Sequence, residues 1–311
     1  VFYNSNMQLK DYRRAVAARL LQALSKKIND YQYNSALLDA DILLEHVTHE
    51  KRSFILSHGE KILSDDEIAA IEKVIEIREA GKPIAYITHQ KEFFAFDFFV
   101  DERVLIPKSD TEPLVEQAAL FCGNAVVKSS TKFNILDACC GSGCIGIALV
   151  KTIADMKLQT APRIRLTLLD ISPDALEVSR INAAAILQRE IAGGFVTVDF
   201  LKADLADGFD GKFDCIVSNP PYVPTKIAVA LLEDGRSEPM LALDGGDDGL
   251  QLFPKLATGI KNALAENGAF FVECGEYNID AAYDIFFEAG LHELKIHKDL
   301  NNQKRIISGK N

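Results

Sequence analysis

The sequence predicts an α/β fold in which a small helical bundle precedes a doubly wound, mostly parallel sheet. Three observations lead there: helical apolar spacing over roughly the first eighty residues, a cluster of aromatic and β-branched residues over 83–106, and strand-like runs alternating with helix-like segments from about 107 onward. The length of 311 residues suits one long domain or two unequal ones, and 48% apolar with 25% charged residues describes an ordinary globular chain.

The helical part spans about residues 8–81, where Ala15, Leu20, Leu21 and Leu24, then Leu37, Leu38, Ile42, Leu43 and Leu44, recur at helical spacing. Ser64 followed by Glu67 is a capping-box signature ahead of Ile68, Ile71 and Ile75, and Gly81 with Pro83 supplies the stop. Over 83–106, Tyr86, Ile87, Phe93, Phe94, Phe96, Phe98, Phe99, Val100, Val104 and Leu105 suit a short β-hairpin connector. Its aromatics are expected to pack between two domains rather than to form an exposed binding face. The predicted parallel strands are Phe133 to Ala138, Ile164 to Asp170, Phe195 to Phe200, Phe213 to Ser218 and Ala269 to Glu273. Glu293 to His297 and Arg305 to Ser308 read as an antiparallel hairpin closing the sheet.

Several function classes are disfavoured. A net charge of −11 speaks against a nonspecific grip on nucleic acid, which relies on many lysines and arginines displacing phosphate counterions. Apolar stretches are broken by charge well before 18 residues and no secretory leader is apparent, so no membrane association is expected and a cytoplasmic address follows. The six cysteines, at 122, 139, 140, 144, 215 and 274, lack zinc-knuckle spacing and are read as reduced thiols; no metal is expected.

The first predicted strand runs into Asp137-Ala138-Cys139-Cys140-Gly141-Ser142-Gly143-Cys144-Ile145-Gly146, in which glycines 141, 143 and 146 spell GxGxxG. Strand, tight turn and helix N-terminus bring backbone N–H groups toward a ligand. The second strand ends in Asp170, followed by Ile171, where such sheets offer a carboxylate to two ribose hydroxyls. NAD and S-adenosylmethionine both satisfy this. Asp137, placed to fix the loop and to face a cation rather than a pyrophosphate, favours the methyl donor. After the third strand, Asp204 can accept from an adenine amino group and Leu205 can cover the ring.

The fourth strand leads directly into Asn219-Pro220-Pro221-Tyr222, at the carboxyl end where open sheets bind ligands. Consecutive prolines stiffen the chain, so the Asn219 side chain and the Pro220 carbonyl can act as two fixed acceptors for one NH₂ group. Tyr222 can stack on a planar amide or base. An amide nitrogen is a poor nucleophile, so the site must work by geometry: accepting both hydrogens aims the nitrogen at the methyl group.

With these residues in view, the chain resembles the HemK/PrmC-type N5-glutamine methyltransferases, which modify the GGQ glutamine of class I peptide chain release factors. The match also covers Gly81-Lys82-Pro83-Ile84-Ala85-Tyr86-Ile87, Glu92-Phe93-Phe94, Val104-Leu105-Ile106-Pro107, Asp110-Thr111-Glu112 and Leu114-Val115-Glu116. It continues through Glu238-Pro239, Ala242-Leu243, Gly245-Gly246, Asp248-Gly249-Leu250 and Glu273-Cys274-Gly275. The resemblance implies a Rossmann-like seven-stranded class I methyltransferase domain over 107–311, a connector over 83–106, and a helical domain over 1–82 that helps to dock the release factor. It implies that Cys139 to Gly143 hold the amino acid part of S-adenosylmethionine, Asp170 its ribose, and Leu205 its adenine. Asn219 and Pro220 would bind the acceptor amide, with Tyr222 flanking it. A monomer is expected.

The chain departs from the family pattern at four places. Cys139, His89 and Ala95 stand where glycines are usual or frequent, and Lys108-Ser109 replaces an Arg-Pro pair. A Cβ at position 139 requires ordinary dihedral angles there, which puts donor affinity in question. Other acceptors remain open: a glutamine of a ribosomal protein, or an adenine-N6 or guanine-N2 of nucleic acid, the latter needing a flipped base and a basic channel. An inactive binding module of the same fold is the rival of another class.

Overall fold

In the computed structural model, residues 7–126, 132–156, 163–205, 212–233 and 237–311 are described; residues 1–6, at the start of the expected helical domain, lie outside them. Two compact units form, one from Val1–His89 with Ala230–Ser237, the other from Gln90–Val229 with Glu238–Asn311.

The first unit contains α1 (Leu9–Leu24), α2 (Tyr33–Thr48), α3 (Arg52–Ser57), α4 (Asp65–Glu79) and α5 (Ile84–Thr88). Tyr12, Val16, Leu20 and Leu24 recur every four residues along α1 and are fully buried, as are Ala36, Ala40, Leu43 and Leu44 of α2 and Ile71 and Ile75 of α4. Removing each large side chain from water contributes about 1.5–3 kcal/mol. Leu38, read with the stripe on α2, is 43% exposed; it lies about 200° round the helix from Ala36, outside the inward arc. The Ser64–Glu67 capping box is formed in both directions. Asp41 is fully buried and held by Arg13 and Arg52, while Arg78 reaches Asp39 at 2.8 Å and the Lys82 carbonyl at 3.0 Å. Buried charges persist only with such partners.

Residues 84–88, grouped with the hairpin on their aromatic and β-branched character, are helical instead. Pro83 presets the φ that opens a helix, and residues 84–88 belong to neither sheet formed by the described residues. The hairpin itself is shorter, β1 (Gln90–Phe93) against β2 (Phe96–Phe99), turning through Phe94 and Ala95 at φ 52° and 62°. Two successive left-handed residues are what a two-residue hairpin turn demands. Phe93 and Phe98 enter the core of the second unit, and Phe94 and Phe96 pack against it, so these rings serve packing.

The rest of the second unit follows in the order α6 (Glu112–Val126), β3 (Lys132–Ala138), α7 (Cys144–Asp155), β4 (Arg163–Asp170), α8 (Pro173–Ile186), α9 (Gln188–Ala192) and β5 (Val196–Lys202). It continues with β6 (Phe213–Ser218), α10 (Thr225–Glu233), α11 (Phe253–Ala263), β7 (Leu264–Glu273), α12 (Ile279–Glu288), β8 (His292–Lys298) and β9 (Lys304–Lys310). The seven strands lie in the order β5-β4-β3-β6-β7-β9-β8. β5, β4, β3, β6 and β7 are parallel, and β9 and β8 close the sheet antiparallel. Side-chain alternation sorts the central strands onto two cores: Ile135, Val217 and Phe271 pack with α6, α7 and α8, and Leu136, Ile216 and Phe270 with α11 and α12. Because the strand order reverses between β3 and β6, a crevice opens at their carboxyl ends.

Candidate active site

Every loop that leaves a carboxyl end of β3, β4, β5 or β6 contributes to one cavity of about 400 Å³, a size typical of small-molecule sites. Of the predicted site residues, Cys139, Cys140, Gly141, Ser142, Asp170 and Ile171 line it. So do Asp204, Leu205, Asn219 and Pro221, whereas Asp137, Gly143, Pro220 and Tyr222 do not.

The turn after β3 is held from several sides. The Cys140 N–H donates to the Leu169 carbonyl at 2.9 Å, and the Gly143 N–H to the Cys140 carbonyl at 2.7 Å. The Asn182 amide, buried on α8, donates to the Ser142 carbonyl at 2.9 Å and to the Phe99 carbonyl at 3.0 Å, fastening hairpin and turn together. Gly143 has φ 77°, and a Cβ there would stand 2.9 Å from Ile147. Cys139 has φ 56°, so the ordinary dihedral angles expected for a side chain at this position are not adopted. The backbone keeps the left-handed path that suits glycine and carries a side chain at a cost of about 1–3 kcal/mol. His89 and Ala95, the two other departures from glycine, are left-handed as well, at φ 55° and 62°.

Asp137 is fully buried; one oxygen accepts the Gly146 N–H at 2.9 Å and the other has no partner among the described residues. Burial pushes its carboxyl up to about 7. It braces the start of α7 from behind the cavity wall, and any effect on a bound cation acts through space rather than contact. Asp170 accepts the Gly141 N–H at 2.8 Å and the Ser172 N–H at 2.9 Å, which aims its carboxylate across the crevice. Desolvation raises its pKa against the pull of those N–H groups. Burial likewise pushes the thiols of Cys139 and Cys140 up, and that of Cys144 to about 12, so all three stay neutral. Leu205 is buried at φ 51°, and Asp204 is exposed and paired with Lys255 at 2.8 Å.

On the opposite wall, the Asn219 side-chain nitrogen donates to the Thr111 hydroxyl at 3.3 Å, which leaves Oδ1 as its acceptor. Tyr222, read as flanking the acceptor, sends its hydroxyl to Glu273 at 2.8 Å and packs beside the α11–α12 core. Its carbonyl accepts from Tyr277 at 3.0 Å. Gly249 passes so close behind that a Cβ would come within 2.2 Å of that carbonyl, which accounts for the glycine in Asp248-Gly249-Leu250. Lys108 pairs with the buried Glu238 at 2.7 Å and both belong to the segments that wall the cavity on this side. Thr111, Glu273 and Asn182 were not singled out from the sequence as site residues, since each acts through a partner 40 to 108 positions away.

A seven-stranded sheet with this order, a glycine turn after β3, a carboxylate ending β4 and a proline-stiffened asparagine after β6 defines a Rossmann-like class I methyltransferase. The residues present fit S-adenosylmethionine: the Asp170 carboxylate can take ribose hydroxyls, buried Leu205 offers an apolar wall, and Gly141 at φ 52° has open space in front of it. Comparison with known proteins agrees. The model of the PrmC N-terminal domain matches residues 19–88, and that of the methyltransferase small domain matches 118–234. A release factor glutamine methyltransferase of Clostridium acetobutylicum is 31% identical over 93% of this chain and 95% of its own length, and that of Escherichia coli is 32% identical over 88% and 91%. The chain belongs to the release factor glutamine methyltransferase family. It also matches a bifunctional methyltransferase of Rickettsia bellii, 34% identical over 90% of this chain, of which it spans 52%. This chain therefore covers about half the length of that relative. Among the described residues, no helix is long and apolar enough to cross a membrane.

Proposed function

We propose that this protein transfers the methyl group of S-adenosylmethionine to the side-chain nitrogen of the GGQ glutamine in a class I peptide chain release factor. One observation carries the reading: Asn219 opens onto the cavity that Asp170 and Leu205 line, with its nitrogen engaged by Thr111 and its oxygen left to accept. When bound, the donor supplies an electrophilic methyl group on a cationic sulfur. Asp170 and the turn at Cys139–Gly143 hold the nucleoside and amino acid parts. Asn219 Oδ1 accepts one N–H hydrogen of the acceptor amide, and the Pro220 carbonyl, which follows it on the same stiff loop but outside the cavity lining, is assigned the other once the acceptor is seated. That fixes the nitrogen in line and returns electron density to it, and such positioning can supply roughly 7–11 kcal/mol. Pro221 walls the cavity beside them, and Tyr222 anchors the loop through Glu273.

The helical unit is proposed to contribute to docking the release factor, and the enzyme to act as a cytoplasmic monomer. Labelled methyl transfer to a recombinant release factor, compared with a variant whose GGQ glutamine is replaced, tests the proposal. Label on the first and none on the second is expected. Label on neither, with label on a ribosomal protein or nucleic acid, would overturn it.

A further inference from the structure

We infer that Lys108 binds the α-carboxylate of S-adenosylmethionine, with Glu238 as the positioning residue that holds its ammonium in place; the inference concerns the donor and is independent of the choice of acceptor. The amino acid part of this donor carries two opposite charges, an ammonium and a carboxylate. A cavity that takes it must answer both.

The lining answers the positive charges readily and the negative one sparsely. Glu102, Asp170, Asp174 and Asp204 line the cavity, and among the described residues that do so the cationic side chains are those of Arg103 and Lys108. The turn after β3 has few donors to spare for a carboxylate, because the N–H groups of Cys140, Gly141, Gly143 and Gly146 already donate to protein oxygens. Arg103 is committed as well: its Nε and Nη2 grip both oxygens of Asp101 at 2.6 to 3.0 Å, with the negative charges of Asp174 and Glu177 nearby.

Lys108 is placed and equipped for the task. Its carbonyl accepts the Thr111 N–H at 3.1 Å, and the Thr111 hydroxyl meets Asn219 at the end of β6. Its segment therefore borders the β6 side of the crevice. With the nucleoside taken by Asp170 and Leu205 after β4 and β5, that is the side left for the amino acid part. Lys108 is 46% exposed and bonds to Glu238 Oε1 at 2.7 Å. An ammonium has three N–H donors, so two remain for an anion in the cavity. Glu238 is buried and also accepts the Ile106 N–H at 3.3 Å, which fixes it to the same segment. A carboxylate so held keeps the lysine charged and its ammonium in place, and little rotamer freedom is left to lose on binding.

Calorimetry with two ligands tests this: S-adenosylmethionine, and its decarboxylated form, in which a hydrogen replaces the carboxylate. Lys108→Met should bind S-adenosylmethionine about 10- to 100-fold more weakly than wild type does. Its affinity for the decarboxylated form should stay within about twofold of wild type, so the preference for the carboxylate collapses. Lys108→Arg, which keeps the cation, should retain that preference to within about threefold. Undiminished affinity for S-adenosylmethionine in Lys108→Met overturns the inference, and so does an equal loss for both ligands, which would mean that the lysine supports the shape of the wall and not the charge of the ligand. No acceptor enters the measurement, so a failure to label the release factor overturns the choice of substrate alone.

Discussion

The Asp137 carboxylate grips the N–H of Gly146 nine residues further on, at 2.9 Å, in a space so tight that a Cβ on residue 146 would come within 2.9 Å of the Asp137 Cβ. The contact joins the end of β3 to the first turn of α7, the helix that follows the cofactor loop. A carboxylate near a helix N-terminus is ordinarily favourable, yet here desolvation wins and raises the pKa from 3.8 to about 7.

A pH dependence of stability follows. The folded state holds the Asp137 proton to higher pH than the unfolded chain, so this residue's contribution declines as pH rises from its unfolded value through about 7, and is constant beyond. Relative to wild type, Asp137→Asn should gain on the order of 2–4 kcal/mol between about pH 4 and about pH 8, read from denaturant midpoints. A difference that stays constant across that range would reject the assignment.

Asn219→Ala should lower turnover by about 10²–10³, the loss seen when one preorganised polar contact is removed from a reacting centre. Calorimetry should find donor affinity largely preserved, because the donor-facing turn is held by Asp170 and Asn182. Near-normal turnover would show that Asn219 does not bind the acceptor.

Asp170→Ala acts on the other half of the reaction. It removes the ribose acceptor and frees the N–H groups of Gly141 and Ser172, so donor affinity should fall about 10- to 100-fold. Affinity in the wild type should also weaken on the acid side, earlier than for an ordinary aspartate, because desolvation raises the Asp170 pKa and its protonation removes the anion. Titration by calorimetry at a series of pH values reads both, and equal affinity in variant and wild type would exclude the role.

The hairpin turn offers a test of backbone strain. Ala95→Gly relieves a left-handed alanine at φ 62° and should stabilise the protein by about 0.5–1 kcal/mol after the larger chain entropy of glycine is subtracted. Differential denaturation would show it, and a destabilised variant would mean that the Ala95 methyl group contributes packing that outweighs the strain.

The alternation of strands and helices was legible because both faces of the sheet are buried, so β3, β4 and β6 read as near-continuous apolar runs between glycine and aspartate punctuation. The positions of Gly141, Asp170 and Asn219 were legible for the same reason: each lies at, or within three residues of, a strand end. What the sequence concealed lies across the chain. A tyrosine beside two prolines reads as able to stack on the acceptor, and nothing local announces that its hydroxyl is tied to Glu273, 51 residues away. Ile84–Thr88 was grouped with a strand because tyrosine and isoleucine favour sheets, whereas the segment forms a helix outside both sheets of the described residues. The φ of Cys139 was hidden too, since a side chain predicts the common backbone and the sheet imposed the rare one.

The strand order carries a consequence for biogenesis. β3, β4 and β5 leave the ribosome before β6 and β7 and can pair with one another, whereas β7, with the Glu273 that anchors Tyr222, follows β5 by more than 60 residues. A nascent protein halted before β7 would own the whole nucleoside half of its crevice and lack the anchor of the other. Competence to react is therefore expected to arrive in one step, with the emergence of β7, rather than to grow in proportion to length.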